Sequence, residues 1–293
     1  METITEIHPD GAAPEQLIKV GDVELCAQTF GRRDDPAVLL VAGTSCSLDW
    51  WPAPFCSRLA DRGLFVIRFD QRDTGRSTAD PAGQPSYALR DLVSDAVGVL
   101  DAHGIDRAHW VGFSMGGWIA QLAALDHPDR VAALVLVSSR TTGHGPADPD
   151  LPEVADRLLA GWESAAEPDW AAPAAVVDYL VEAEGELAGA EFDEPTVRLM
   201  CERAVARTPD LRPAVTNHPM LDQGPRWRER LGQVAAPTLV LHGEDDPMFP
   251  PRHAGALAAA IPGATLRLIP GVGHELPPRH WADYARAIAD HVR

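Results

Sequence analysis

The sequence predicts an open α/β fold, in which a mostly parallel sheet is flanked by helices on both faces. Short apolar runs alternate with stretches of amphipathic helical spacing, and several runs, such as 37–41, are apolar at nearly every position. A strand that is apolar on both sides is buried on both sides, as in parallel sheets covered by helices. The alternating order from about residue 37 to 139, and again from about 237 to the end, is typical of this fold class.

The individual elements follow from the length and the spacing of these runs. Apolar runs too short for helices predict strands over 23–30, 37–41, 65–69, 109–113, 133–137, 238–241 and 265–269. Helical spacing predicts helices over 55–62, 89–103, 115–127, 252–261 and 279–292. We therefore expect residues 21–139 and 232–293 to form one core domain, with residues 1–20 as an N-terminal tail.

The segment between the two parts of the core, residues 140–231, is predicted to form a helical cap, or lid, over the sheet. It has no strong strand signal, and helical spacing occurs in 154–162, 174–184 and 197–205. An Asp/Pro cluster at 147–150 is expected to be the linker into it. A surface excursion without a role at the site is the alternative interpretation.

Charge and composition exclude several classes of function. The chain has 25 Lys+Arg against 43 Asp+Glu, a formal net charge of −18, which disfavours nucleic acid and anionic membrane surfaces as partners. No run approaches the roughly 18–20 apolar residues of a membrane span. Residues 1–11 lack the pattern of a signal peptide, so a cytoplasmic location is expected. The four cysteines have no metal-binding spacing, so we expect free thiols in the core and no metal.

The strongest local signal is Gly-Phe-Ser-Met-Gly-Gly at 112–117, directly between a predicted strand and a predicted helix. Gly112 and Gly116 flank Ser114 at the spacing of a nucleophile elbow, a sharp turn at which larger flanking residues would clash with the neighbouring backbone. Free N–H groups at the start of the following helix would favour a developing oxyanion. This context predicts Ser114 as a catalytic nucleophile.

A serine nucleophile needs a base, and the base needs an acid that orients it. Among the 11 histidines, His274 stands out because it lies in a small flexible loop just past the last predicted strand. An open parallel sheet presents its chemistry at that position. Three carboxylates, Glu244, Asp245 and Asp246, follow the preceding strand. Pro247 restricts the residue before it to an extended backbone, which favours Asp246, with Asp245 as the alternative.

Two backbone N–H groups are expected to form the oxyanion hole. One is the N–H of Met115, the residue after the nucleophile. The other is the N–H of Thr44, in the loop after the strand at 37–41, where Gly43 turns the chain. An ordinary polar turn at 43–45 is the alternative interpretation.

The sequence resembles the α/β-hydrolase superfamily from about residue 23 to the C-terminus. The matching motifs are the serine motif at 112–117, Phe-Asp-Gln-Arg-Asp-Thr-Gly-Arg-Ser at 69–77, His-Gly-Glu-Asp-Asp-Pro-Met-Phe-Pro at 242–250 and Pro-Gly-Val-Gly-His at 270–274. The resemblance implies an α/β-hydrolase fold with the chain order Ser–Asp–His, and its G-x-x-D pattern places the acid on Asp246. Where the family commonly has His-Gly before the oxyanion donor, this sequence has Ala42 and Gly43, a change that a backbone donor survives.

The loop at 72–77 and the segment around Trp51 are similar to the aclacinomycin methylesterase group, whose members hydrolyse a carbomethoxy ester on an aromatic polyketide. The resemblance therefore implies a serine esterase for an apolar or aromatic small-molecule ester, without a cofactor. Trp51, Trp162 and Phe249 are expected to line its substrate pocket. The alternatives are lactone opening, perhydrolysis, a lyase or cyclase step on a polyketide, or a ligand-binding module without turnover. The sequence indicates no oligomeric state.

Overall fold

The structure is a computed structural model that describes residues 12–143 and 145–293. Among these residues, eight strands form one sheet: β1 Gln16–Val20, β2 Val23–Phe30, β3 Ala37–Val41, β4 Phe65–Phe69, β5 Ala108–Phe113, β6 Val131–Val137, β7 Thr238–Gly243 and β8 Thr265–Ile269. Their spatial order is β1-β2-β4-β3-β5-β6-β7-β8. β2 is antiparallel to both of its neighbours, and the pairs from β4 to β8 are parallel. The predicted mostly parallel open sheet is therefore confirmed.

Helices connect the strands and cover both faces of the sheet. In the described ranges they are α1 Ala53–Ala60, α2 Leu89–Ala102, α3 Met115–Asp126, α4 Asp156–Ser164, α5 Pro173–Leu187, α6 Glu194–Arg207, α7 Arg212–Asn217, α8 Arg252–Ala260 and α9 Trp281–His291. The helices predicted from spacing in the core all occur, with ends that differ by at most two residues. Within the described part of the chain, no helix has both the length and the apolar composition needed to cross a bilayer.

The sheet separates two hydrophobic cores, and alternate residues of each central strand enter opposite ones. Leu39 and Val41 of β3 pack with α2, α3 and α8, whereas Val38 and Leu40 pack with α1 and α9. All four side chains are fully buried. This two-sided burial explains why the strand is apolar without alternation.

The parallel register brings the carboxyl ends of the central strands to one edge of the sheet. Val41 pairs with Gly112, Phe113 with Val137, and Gly243 with Ile269. The loops that follow β3, β5, β7 and β8 therefore leave the sheet side by side. Open α/β sheets bind their ligands at this edge.

The expected N-terminal tail over residues 1–20 is wrong for residues 16–20. These form β1, which pairs antiparallel with β2 from Gln16 opposite Ala27 to Val20 opposite Val23. β1 is an edge strand with mostly exposed side chains, so it lacks the continuous apolar run of the central strands. Residues 1–11 of the expected tail lie outside the described residues.

Residues 140–231, the segment expected to form a cap, connect β6 to β7 and contain α4 to α7. α5 and α6 share a small core of their own, formed by Val176, Val177, Leu180, Val181 and Cys201. All four cysteines of the chain are buried free thiols, as predicted. Burial raises the pKa of Cys56 and of Cys201 to about 12, so these thiols are inert at neutral pH.

Candidate active site

Ser114 occupies the sharp turn between β5 and α3. Its φ of 53° and ψ of −117° lie in a region that non-glycine residues rarely adopt. Two hydrogen bonds hold this turn: Ser114 N–H donates to Val137 O at 2.9 Å, and the Ser139 hydroxyl donates to Ser114 O at 3.0 Å. The strain directs the Ser114 side chain away from the sheet.

The glycines around Ser114 are required by close backbone packing. A Cβ on Gly112 would collide with the carbonyl oxygen of Gly116, and a Cβ on Gly116 would collide with that of Val41. The start of α3 therefore packs directly against the ends of β3 and β5. This contact is the physical reason for the Gly-x-Ser-x-Gly spacing.

His274 lies in the loop between β8 and α9, and its imidazole is buried beside Ser114. The distance from His274 Nε2 to Ser114 Oγ is 2.9 Å, and that from His274 Nδ1 to Asp246 Oδ2 is 2.8 Å. Because the carboxylate only accepts, Nδ1 carries the proton, and Nε2 accepts from the Ser114 hydroxyl. The loop itself is held from α5, since His274 N–H donates to Leu187 O at 2.8 Å.

Asp246 is the one of the three carboxylates after β7 that reaches His274. Glu244 and Asp245 are exposed, whereas Asp246 is 3% exposed. Its Oδ1 accepts from the N–H groups of Met248 and Phe249 at 2.9 and 2.8 Å. Burial alone would raise the pKa of Asp246, but His274 and these hydrogen bonds outweigh it and leave the pKa below its ordinary value. The carboxylate is therefore ionised at neutral pH.

A second histidine, His242, lies next to this carboxylate. Its Nε2–H donates to Phe249 O at 2.7 Å and is 3.3 Å from Asp246 Oδ2. Burial is the main cause that lowers the pKa of His242, so its ring is neutral at neutral pH. His242 thus supports the turn that holds Asp246. The sequence showed it only as part of the motif at 242–250.

The two expected oxyanion donors belong to segments that adjoin Ser114, one at the start of α3 and one in the loop after β3. Met115 is the first residue of α3, where N–H groups have no partner within the helix. Thr44 follows Gly43, and a Cβ on Gly43 would lie 3.3 Å from Ser114 Cβ, so this loop touches the serine. Gln71 holds the same loop by donating from Nε2 to Ala42 O at 2.9 Å. The sequence showed Gln71 only as part of the motif at 69–77.

Ser114 and His274 open into a cavity of about 1520 Å³ between the sheet edge and the segment 140–231. The three side chains expected to line the pocket, Trp51, Trp162 and Phe249, all line it. Phe249 is edge-on to the His274 ring at 5.2 Å. Trp170 is not among the described residues that line the cavity, and its ring packs against that of Tyr179 at 5.9 Å.

Charged side chains that the sequence did not single out, among them Glu184 and Arg140, also line the cavity. Glu184 of α5 accepts from Trp50 Nε1–H at 2.8 Å, and burial raises the pKa of Glu184. Arg140, which follows β6, is 4% exposed and lies over the ring of Phe249. Its Nη2 donates to the carbonyl oxygens of the loop at 143–145. Aromatic and aliphatic side chains thus share the wall of the cavity with charged groups, among them the acidic Glu184 and the basic Arg140.

The site offers the chemistry of an activated hydroxyl rather than that of a metal centre. Among the residues at 12–143 and 145–293, no group of three or more His, Cys, Asp or Glu side chains is placed to hold a metal ion. Ser114 Oγ, the His274 imidazole and the Asp246 carboxylate instead form one hydrogen-bonded series. Such a series can transfer the serine proton as the oxygen attacks a carbonyl carbon.

A family model and curated relatives of this chain indicate the same family. The family model of the alpha/beta hydrolase fold matches residues 36–278. The chain is 33% identical to rhodomycin D methylesterase DauP of Streptomyces sp. (strain C5) and 34% identical to rhodomycin D methylesterase DnrP of Streptomyces peucetius. Each alignment covers 96% of this chain and 98% of the relative.

Solved structures agree on the fold. The enol-lactonase from Burkholderia xenovorans LB400 superposes with a TM-score of 0.73. It covers 94% of this chain and 99% of its own, at 22% identity. Identity at that level supports the shared fold alone.

Proposed function

The chain belongs to the α/β hydrolase family, and from this membership we propose that it is a carboxylic ester hydrolase with Ser114 as nucleophile, His274 as general base and Asp246 as the orienting acid. The observation that carries the proposal is the hydrogen-bonded series Ser114–His274–Asp246, with distances of 2.9 and 2.8 Å, at the floor of a large cavity. An unactivated serine hydroxyl is a weak nucleophile, and this series supplies the missing base.

In the first half of the reaction, Ser114 Oγ attacks the ester carbonyl carbon while its proton moves to His274 Nε2. The carbonyl oxygen becomes an oxyanion, for which the N–H groups of Thr44 and Met115 are the proposed donors. The ionised Asp246 stabilises the imidazolium across the 2.8 Å bond to Nδ1. When the C–O bond of the ester breaks, Nε2 returns the proton to the leaving alcohol and an acyl-enzyme remains.

In the second half, water takes the place of the alcohol. His274 Nε2 accepts a proton from the water as its oxygen attacks the acyl carbon. Collapse of the second tetrahedral intermediate breaks the bond to Ser114 Oγ, which regains its proton from the imidazolium. One ester and one water thus give one acid and one alcohol, and the enzyme is restored without a cofactor.

For the substrate class, we propose a methyl ester on a polycyclic aromatic molecule. The printed names of the two Streptomyces relatives describe methylesterases of rhodomycin D. The cavity of about 1520 Å³ exceeds the roughly 300–1,000 Å³ of ordinary small-molecule sites. Its flat aromatic groups, Trp51, Trp162 and Phe249, suit a fused ring system.

Residues 140–231 are proposed to act as the cap of this site. α4 supplies Trp162 to the cavity wall, and α5 supplies Glu184. A cap that covers the reacting atoms would exclude water except the one that deacylates the enzyme. The acidic charge of the cap fits a neutral or cationic substrate rather than an anionic one.

The proposal is tested with the methyl ester of a polycyclic aromatic carboxylic acid and with a short p-nitrophenyl ester. We expect the purified protein to release acid from both esters, and Ser114→Ala to lose about 10⁴-fold in kcat with its fold intact. Hydrolysis in ¹⁸O-labelled water is expected to place one ¹⁸O in the acid.

Ser94→Ala is the matched control, since Ser94 is exposed on α2 and its hydroxyl donates only to Arg90 O. This variant is expected to retain full activity. No ester turnover by the unaltered protein, or near-normal turnover by Ser114→Ala, contradicts the proposal.

A further inference from the structure

His218 connects the segment 140–231 to the loop that carries Thr44. It is fully buried, in a turn directly after α7, and it contacts the loop 43–45 through its ring. Its Nδ1 accepts from Ser45 N–H at 2.9 Å, and its Nε2–H donates to Arg72 O at 2.8 Å. Both ring nitrogens thus have a partner, and the two bonds fix one neutral tautomer.

We infer that His218 is a positioning residue for the oxyanion hole, which aims the Thr44 N–H at the reacting carbonyl by holding the next residue, Ser45. The inference rests on the proposed function, because it assigns a role within that same reaction. Nothing in the spacing of the sequence pointed to His218, which lies 173 positions from Ser45.

The conformation of Ser45 explains why the loop needs such a support. Its φ of 64° is in the left-handed region, which costs a non-glycine residue conformational free energy. Two bonds offset that cost, one to His218 Nδ1 and one from Ser45 Oγ to Ala214 O at 2.8 Å. Both partners come from α7 or the turn that follows it, so this part of the segment acts as a fixed base for the loop.

The same loop is in contact with the nucleophile. Gly43 packs so close to Ser114 that a Cβ would lie 3.3 Å from the serine Cβ. Among the described residues, the N–H of Thr44 between Gly43 and Ser45 has no hydrogen-bond partner, and Thr44 lines the cavity. The peptide plane that carries this N–H is therefore set from one side by Gly43 and from the other by the anchored Ser45.

Burial keeps the His218 ring in the form that this role requires. Desolvation is the main cause that lowers the pKa of His218, against smaller opposing contributions from the bond to Arg72 O and from the charge of Asp73. The ring is therefore neutral at neutral pH, and Nδ1 remains an acceptor for Ser45 N–H. A protonated ring would have no acceptor to offer.

The test is a pair of substitutions, each of which can keep only one of the two hydrogen bonds that the His218 ring makes. In His218→Asn, the side-chain oxygen can take the place of Nδ1 and accept from Ser45 N–H. In His218→Gln, the longer amide reaches the position of Nε2 and can donate to Arg72 O, while the acceptor for Ser45 is lost. Both replace a buried ring with an amide, so a purely structural role would affect both variants alike.

We expect His218→Gln to lower kcat for a short p-nitrophenyl ester by about 100-fold, the effect of losing one oxyanion donor, with KM changed by less than about threefold. His218→Asn is expected to stay within about fivefold of the unaltered protein. The affinity for a trifluoromethyl ketone, whose tetrahedral adduct places an oxyanion in the site, is expected to fall in parallel with kcat/KM. His109→Gln, at the opposite end of β5, is the control and is expected to leave kcat unchanged.

Equal kcat for the Asn and Gln variants, or a loss in KM alone, would overturn the inference while the proposed function stands. Absence of ester turnover in the unaltered protein overturns both. If neither His218 variant folds, Ser45→Ala removes the bond to Ala214 O alone and is expected to lower kcat by about five- to tenfold. An unchanged kcat in that variant also overturns the inference.

Discussion

At the scale of single residues, Asp246 determines which nitrogen of His274 carries the proton. Its Oδ1 is occupied by two backbone N–H groups, so Oδ2 alone faces His274 Nδ1. An asparagine that kept its oxygen on those N–H groups would turn its NH₂ toward Nδ1. The imidazole would then adopt the opposite tautomer and present Nε2–H to Ser114, which removes the base.

We therefore predict that Asp246→Asn lowers kcat for ester hydrolysis by about 10⁴-fold with little change in stability. Asp245→Asn is the matched control, because Asp245 is the exposed neighbour that the sequence left as an alternative. Steady-state kinetics of the two variants show which of the two carboxylates orients His274. A large loss of kcat in Asp245→Asn together with a small loss in Asp246→Asn would show that the assignment of the acid to Asp246 is wrong.

Glu184 lines the cavity, and its carboxyl is among those whose pKa burial raises. Burial raises the pKa of its carboxyl above the ordinary value of 4.5, against smaller lowering contributions from Trp50 and His274. Between 4.5 and the raised pKa the folded state binds more protons than the unfolded state, so this group reduces stability as the pH rises through that interval. Each unit of such a difference is worth about 1.4 kcal/mol.

Glu184→Gln removes this titration and keeps an oxygen that can accept from Trp50 Nε1–H. We predict that it raises the free energy of unfolding relative to the unaltered protein, and that the gain is larger at pH 8 than at pH 5. Urea unfolding at both pH values measures the difference. Glu182→Gln, an exposed position on the same helix, is expected to show no such trend. A gain for Glu184→Gln that is equal at both pH values would contradict the assignment.

At the scale of elements, α6 and α4 of the proposed cap differ in how extensively they contact the core. Arg207 at the end of α6 bonds to Asp70 at 2.8 Å, to Asp49 at 2.6 Å and to Glu15 at 3.0 Å. Removing the arginine would take one charged partner from each of these carboxylates, which is costly for buried charges. α6 is thus fixed to the core, whereas α4 has one buried residue, Leu158, and lies at the surface.

From this contrast we expect α4, rather than α6, to be the part of the proposed cap that adjusts to a substrate. Trp162 on α4 is 46% exposed and lines the cavity. The side chain therefore has an apolar surface that a bound aromatic ester can cover.

We predict that Trp162→Ala raises KM about five- to tenfold for a polycyclic methyl ester and leaves KM for a short p-nitrophenyl ester unchanged. Trp170→Ala is the control within the cap. Its ring packs on Tyr179 and does not itself line the cavity, so this variant is expected to lower stability without changing the ratio of the two KM values. Equal effects of the two variants on that ratio would contradict a role of α4 in binding.

At the scale of the whole molecule, the sequence predicted the elements that are apolar without interruption. The strand at 37–41 coincides with β3, and that at 65–69 with β4, because two-sided burial leaves an unmistakable run of apolar residues. The edge strand β1 was missed because exposed side chains interrupt its pattern. The short helix α7 was missed because its six residues span less than two turns.

The residues of the candidate site likewise include some that the sequence predicts and some that it does not. Ser114, Asp246 and His274 follow strand ends in recognisable local motifs, and parallel strands end at one edge, so their proximity could be predicted. His218 and Glu184 come from the segment 140–231 and reach the site only through packing. No spacing along the chain encodes such contacts, so residues that support a site are harder to predict than those that react.

The most direct test of the account is labelling of the purified protein with a fluorophosphonate, followed by peptide mass spectrometry. Such a reagent phosphonylates a serine only when a neighbouring base activates it. We predict one adduct per chain, located on Ser114, and no adduct in His274→Ala. An unlabelled protein, an adduct on another serine, or undiminished labelling without the imidazole would contradict the claim that Ser114 is activated by His274.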